Sequence, residues 1–195
     1  MNGGRQLSKN IPDGANCIKI LREAGCRQRI LVHCCTVCAV AEEMTSRIDA
    51  DKGLVVAGSL LHDIGRSVDH TIMHAVIGSR MVEKLGLPEE LANIVRKHIG
   101  AGLDAVDVVE MNLPPGDYIP RTIEEKIVAH ADNLVSDNRV IDHKYSVDRL
   151  RGSGALRGAD RMEALHWELS NLYGMDLDII RDIIGEYPKL KWIPN

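Results

Sequence analysis

Apolar residues recur along this chain every three to four positions, and the runs are bounded by glycine, proline or aspartate, which predicts a succession of amphipathic helices. The first is expected from about Pro12 to Ala24, with Ile18 and Leu21 on one face and Gly25 as its stop. A longer helix, about Arg27 to Ile48, places Val37, Val40 and Met44 on a stripe that also contains His33, so this histidine is expected to face the core. Asp51 is the expected N-cap of a nearly all-apolar helix, Lys52 to Leu61, which reads as the central buried element. It ends in the adjacent pair His62-Asp63, followed by Ile64-Gly65-Arg66, with Gly65 read as a stop.

Downstream, Met73, Ile77, Met81 and Leu85 mark a helix from about Thr71 with His74 in its first turn. Pro88 opens another, in which His98 extends the stripe of Leu91 and Ile94 before Gly100. The stretch from Gly100 to Pro120 is rich in glycine and proline and weakly periodic, so it is expected to be a lid or binding loop with a short element near Val106 to Met111. A helix from about Thr122 to Asn138 would set Asp132 on an apolar line between Val128 and Val135. Ser146 to Gly158 is expected to be looped, then a helix marked by Met162, Leu165, Leu169 and Leu172 ends at Gly174, and Asp176 caps one more through Gly185. The division expected is an N-terminal arm and helix (1–26), a core (27–140) and C-terminal support helices (141–195) packed on the same domain.

Composition agrees with helices: 195 residues suffice for one substantial core, and with 45% apolar residues and no Phe that core must be built of Leu, Ile, Val, Ala and Met. The net charge of −4 argues against a protein that holds nucleic acid by neutralising phosphates, but leaves room for a small anion where cations are concentrated locally. No apolar run approaches the roughly 20 residues that cross a bilayer, and the start lacks a signal-peptide core, so a cytoplasmic protein without membrane contact is expected. Five cysteines, Cys17, Cys26, Cys34, Cys35 and Cys38, are read as small buried residues, because Cys35-x-x-Cys38 has no second pair to complete a zinc site. Self-association is left open.

The chemistry lies in polar residues on apolar faces: His33, His62 with Asp63, His74, His98 and Asp132 come from five separate elements. A buried carboxylate needs a counter-charge, and a metal cation is the simplest. Imidazole and carboxylate donors without thiolate suit Mn, Fe, Co, Ni or Zn better than Ca or Mg, and six ligands exceed one tetrahedral ion, so two ions sharing Asp63 are expected. His70 lies four residues before His74 on the same face and is an alternative ligand or a partner of one. His130, His143 and His166 read as hydrogen-bonded core histidines, Lys97 as a solvated cation, and Glu124 and Glu125 as a favourable first helical turn.

The order H, HD, H, H, D resembles the HD-domain metal-dependent phosphohydrolase superfamily. His62-Asp63-Ile64-Gly65 has the HDIG form of its motif, His74-Ala75-Val76-x-Gly78 and Leu85-Gly86-Leu87-Pro88 resemble its next segment, and Ala131-Asp132 its terminal aspartate. The resemblance spans His33 to Asp132 and implies an all-α bundle in which His33, His62, Asp63 and Asp132 bind one metal. His74 and His98 match the extra histidines of two-metal members, with Fe or Mn the expected ions and Co, Ni or Zn the alternatives. Arg66 stands where lysine is common and is read as binding a substrate phosphate. The implied activity is hydrolysis of a phosphoester or phosphoanhydride in a nucleotide or small phosphometabolite by metal-activated hydroxide, with Asp63 and Arg66 as catalytic groups. A di-iron oxygenase and a metal-containing nucleotide-binding regulatory module are the competing readings. Asp132-Asn133-Leu134 through Arg139 also resembles a segment of the symmetrical diadenosine tetraphosphatases, which adds dinucleotide polyphosphates to the candidate substrates.

Overall fold

Asp13 accepts a hydrogen bond from Asn16 N at 2.8 Å, which caps α1 (Gly14–Glu23); the computed structural model describes residues 11–193. Then come α2 (Gln28–Met44), α3 (Lys52–Leu61), a 3-10 turn (Ile64–Ser67), α4 (His74–Lys84) and α5 (Glu89–Lys97). The second half comprises α6 (Ala105–Glu110), α7 (Ile123–Asn133), α8 (His143–Gly152), α9 (Leu156–Tyr173) and α10 (Ile180–Ile184), with a two-stranded hairpin, β1 (Val135–Ser136) and β2 (Arg139–Val140), after α7. The fold is a mostly helical bundle that gathers histidine and aspartate side chains in clusters, as the expected all-α bundle requires.

The central element is α3, packed against α1, α2, α5 and α7. Its Val55, Leu60 and Leu61 are fully buried, a contribution of about 1.5–3 kcal/mol each. Asp51 caps it as expected, accepting from Leu54 N at 3.1 Å. The principal apolar cluster takes in Cys17 of α1, Leu60 of α3, Val128 of α7 and Leu169 of α9. Cys17, Cys34, Cys35 and Cys38 are buried and all five thiols are free. Burial pushes the Cys17 thiol up to about 12 and the Cys34 and Cys38 thiols well above their ordinary value, so these are packing residues. No helix among the described residues is long and apolar enough to cross a membrane.

Three segments depart from expectation. The helix carrying Asp132 stops at Asn133 rather than Asn138: Leu134 is its C-cap, Val135 enters β1, and Asp137 with φ 63° turns the chain into the hairpin. Most of the loop expected from Ser146 to Gly158 is helical: Asp142 caps α8 by accepting from Tyr145 N at 3.0 Å, Val147 packs into the core, and the break is confined to Ser153–Ala155. The Gly100–Pro120 stretch is no free lid. Its α6 carries a capping box between Asp104 and Asp107, and Leu103, Val108, Leu113 and Tyr118 form a satellite apolar cluster with Val76. Arg157 and Arg161 of α9 clamp it through Asp104 and Asp107.

Candidate metal centre

The six residues singled out for metal binding come together although they span a hundred positions of chain. His33 lies on α2; His62 and Asp63 follow the buried end of α3; His74 opens α4; His98 follows α5; and Asp132 is next to last in α7. His62, Asp63, His74 and His98 are at most 2% exposed.

Each imidazole turns its Nδ1 to a backbone carbonyl: His33 to Asp137 O at 2.7 Å, His62 to Ser59 O at 2.8 Å, His74 to Thr71 O at 2.6 Å and His98 to Val95 O at 2.7 Å. A carbonyl only accepts, so Nδ1 carries a proton, and with a metal bound each ring would present its Nε2 lone pair. Those Nε2 atoms face each other in pairs, His33 with His62 at 3.3 Å and His74 with His98 at 3.1 Å. Facing lone pairs repel unless a cation lies between them, and neighbouring ligands on one ion with bonds of about 2.0–2.1 Å stand about 2.9–3.4 Å apart.

Asp63 lies between the two pairs. Its Oδ1 is 3.0 Å from His74 Nε2 and 3.6 Å from His98 Nε2, while its Oδ2 is 3.8 Å from His33 Nε2 and 3.7 Å from His62 Nε2. Oδ1 is buried without a hydrogen-bond donor, an orphaned anionic oxygen that a cation would satisfy. Asp132 Oδ1 adds a second carboxylate at 3.0 Å from His33 Nε2 and 3.5 Å from His62 Nε2. Burial opposes the charged form of His62, but Asp63 and Asp132 beside it prevail and raise its pKa to about 9. Burial likewise opposes ionised Asp63 and Asp132, yet their contacts with the surrounding histidines hold both carboxyls well below the usual range. The position favours positive charge, carried by a proton or by a metal ion, and the residues present fit a metal. His70 is exposed and lies outside the cluster, at the rim of the groove beside it.

Gly65 is required for close approach, not as a helix stop. A Cβ there would collide with the His74 carbonyl oxygen and lie 2.7 Å from Gly78 N, so the 3-10 turn rests directly on the start of α4. Gly65→Ala is expected to destabilise the fold by about 1–3 kcal/mol and to displace His74, read as a lower urea midpoint together with weaker metal retention.

Two open grooves meet at the cluster. One, of about 320 Å³, is lined by Arg27, Arg29, His33, Asp63, Arg66 and His70; the other, of about 310 Å³, by Arg66, Asp132, Asn133, Ser136 and Arg149, among others. Arg66 borders both. Its Nε donates to Asp63 Oδ2 at 2.6 Å. Arg29 pairs with Asp137 at 2.8 Å, while Arg27 and Arg149 have no ion pair among the described residues. This is the local concentration of cations that the overall charge left open, and sequence reasoning missed three of the four arginines because they come from separate turns and helices. Of the Gly100–Pro120 stretch only Gly100 reaches these grooves, and Arg139 lines neither, sitting instead 3.6 Å from Glu186.

Residues 30–137 match the HD domain family. This chain belongs to the HD-domain family. With it comes membership of the metal-dependent phosphohydrolase superfamily. The HD-domain chain is 43% identical over 180 residues to a tRNA (cytidine(56)-2'-O)-methyltransferase of Picrophilus torridus, covering 92% of this chain and 52% of that protein. It is 32% identical over 109 residues to a ribonuclease Y of Desulforamulus reducens, 55% of this chain and 18% of that one. The chain thus spans about half the length of the methyltransferase relatives it matches. Its fold is similar to that of the HD domain of the L. monocytogenes phosphodiesterase PgpH in complex with cyclic-di-AMP, with a TM-score of 0.61 at 16% identity over 90% of this chain and 99% of that one.

Proposed function

We propose that this HD-domain protein is a two-metal phosphohydrolase that cleaves a phosphoester or phosphoanhydride bond in a nucleotide or dinucleotide. The observation that carries the reading is Asp63, with one carboxylate oxygen toward His74 and His98 and the other toward His33 and His62. His33, His62, Asp132 and Asp63 Oδ2 would hold one divalent transition metal ion, and His74, His98 and Asp63 Oδ1 a second. Iron and manganese are the first candidates and Co, Ni or Zn the alternatives for this donor set. When bound, such a pair polarises a phosphoryl oxygen and lowers the pKa of a shared water toward about 7.

The chain's own groups do the rest. Carbonyl-held Nδ1 protons fix the orientation of all four imidazoles, which keeps the donors preorganised. Arg66 uses Nε for Asp63 and Nη1 for the His70 carbonyl at 3.4 Å, and it lines both grooves, where a phosphate would lie beside the cluster. Arg27 in one groove and Arg149 in the other supply cations for further phosphates on either side of the scissile bond. A nucleotide is favoured because one relative is named ribonuclease Y and the PgpH domain, a phosphodiesterase, was solved with cyclic-di-AMP.

Arg66→Ala is expected to lower kcat/KM about 10- to 150-fold, the loss of one charge-assisted contact of about 1.5–3 kcal/mol, with metal content unchanged. Arg66→Lys should recover part of it in steady-state assays. The reading itself is tested by loading the protein with Mn²⁺ or Fe²⁺ without oxygen and following phosphate or mononucleotide release from a panel of nucleotides and dinucleotides. Metal-dependent release from at least one is expected; full recovery of every compound from metal-loaded protein would overturn it.

A further inference from the structure

Three histidines take no part in the centre described above. His130, His143 and His166 are 0%, 3% and 0% exposed, and the fold gathers what the sequence presents as isolated core residues. His143, the first residue of α8, stacks on His166 of α9 with ring centroids 3.6 Å apart and planes 18° apart. Asp176 and Asp178, at the 3-10 turn before α10, face them: Asp178 Oδ2 is 2.8 Å from His143 Nδ1, and Asp176 Oδ1 is 3.1 Å from His166 Nε2. One donor atom from each of the four lies within 4.8 Å of the others.

We propose that His143, His166, Asp176 and Asp178 form a structural site for a first-row divalent transition metal such as zinc, separate from the HD centre. Charge is the first argument. The two buried rings stack face to face, and each turns a nitrogen to a carboxylate oxygen, at 2.8 Å for His143 and 3.1 Å for His166. Two imidazoles facing two carboxylates make a donor set of net negative character that a divalent ion suits, and neither aspartate pairs with a Lys or Arg among the described residues. The second argument is the surrounding shell. His166 Nδ1 lies 3.0 Å from His130 Nε2, the arrangement in which a ligating histidine donates its other ring N–H to an acceptor. Both carboxylates are also fixed in advance, Asp178 Oδ1 accepting from His143 N at 2.8 Å and Asp176 Oδ1 from Asp178 N at 2.9 Å. Nitrogen and oxygen donors without thiolate suit zinc and its neighbours.

An ion here ties α8, α9 and the turn leading to α10 into one unit. Through His130 it also braces α7, whose Asp132 lies two residues further on and about 200° around the helix, in the HD centre. The test uses the double variant Asp176→Asn/Asp178→Asn, in which asparagine oxygens keep both capping hydrogen bonds and hence the fold. Wild type and variant are loaded with Zn²⁺ or Co²⁺ alone, desalted and analysed for metal per chain. The variant should hold one ion fewer than the wild type, however many the HD centre retains, and its Co²⁺ visible absorption should fall accordingly. Its melting temperature should also rise less on adding metal. Equal metal content in the two proteins would overturn the proposal.

Discussion

Asp63→Ala should abolish metal retention at the HD centre and cut phosphohydrolysis about 10³-fold or more, while the far-UV signature of the helices persists. The size follows from the position of the residue. Asp63 presents an oxygen to each histidine pair, so its loss weakens both proposed sites at once, and a deficit of about 4 kcal/mol in transition-state stabilisation is a factor of about 10³. The fold should survive because the burial of Val55, Leu60 and Leu61 in α3 does not depend on the carboxylate. Arg66, its 2.6 Å partner, is 30% exposed and can turn to solvent. Metal analysis, kcat and circular dichroism on one preparation check all three points. Asp63→Asn, which keeps an oxygen for one side but loses the second anionic one, should fall between the two.

Lys97→Met should destabilise the protein by about 3–5 kcal/mol, the usual cost of stranding a buried charge. Lys97 is 7% exposed, with its Nζ 3.0 and 3.2 Å from the two carboxylate oxygens of Glu125 and 3.5 Å from Asp117. Glu125, 5% exposed, would keep only backbone donors, Arg121 N at 2.6 Å and Thr122 N at 3.2 Å, which places the cost toward the lower end of that range. The urea midpoint should drop with little change in slope, and adding Glu125→Gln should restore much of the loss, giving a coupling energy from the double-mutant cycle. Because His98 is the next residue, the variant should also retain metal less well.

These two cases differ in how far the sequence announces them. His33, His62, Asp63, His74, His98 and Asp132 each sit on an apolar stripe or at a helix end, where a polar side chain is conspicuous, and the resemblance to the HD motif order pointed to a single site. The Lys97–Glu125 pair had no such signal. Both residues lie at helix ends where charges normally face water, and only the packing of α5 on α7 buries them. The same holds for the arginines of the grooves and for His130, His143 and His166, whose meeting depends on how α7, α8 and α9 cross. Local chemistry misled in three places. The glycines and arginines of Ser146–Gly158 suggested a loop, but the Asp142 cap and the packing of Val147 suffice for α8. The Gly100–Pro120 stretch had the composition of a lid, yet its own apolar cluster and the α9 arginines hold it away from the grooves. After Asn133 the chain leaves α7 for a short hairpin that turns at the left-handed Asp137, and the Asp137 carbonyl is what orients His33.

The central claim is that Asp63 joins two metal ions. Anomalous diffraction from crystals grown with saturating Mn²⁺ or Fe²⁺ tests it most directly. Two peaks about 3.5–4 Å apart are predicted, one beside His33, His62 and Asp132 and one beside His74 and His98, with Asp63 between them. A single peak at saturating metal, or none within bonding distance of Asp63, would contradict it.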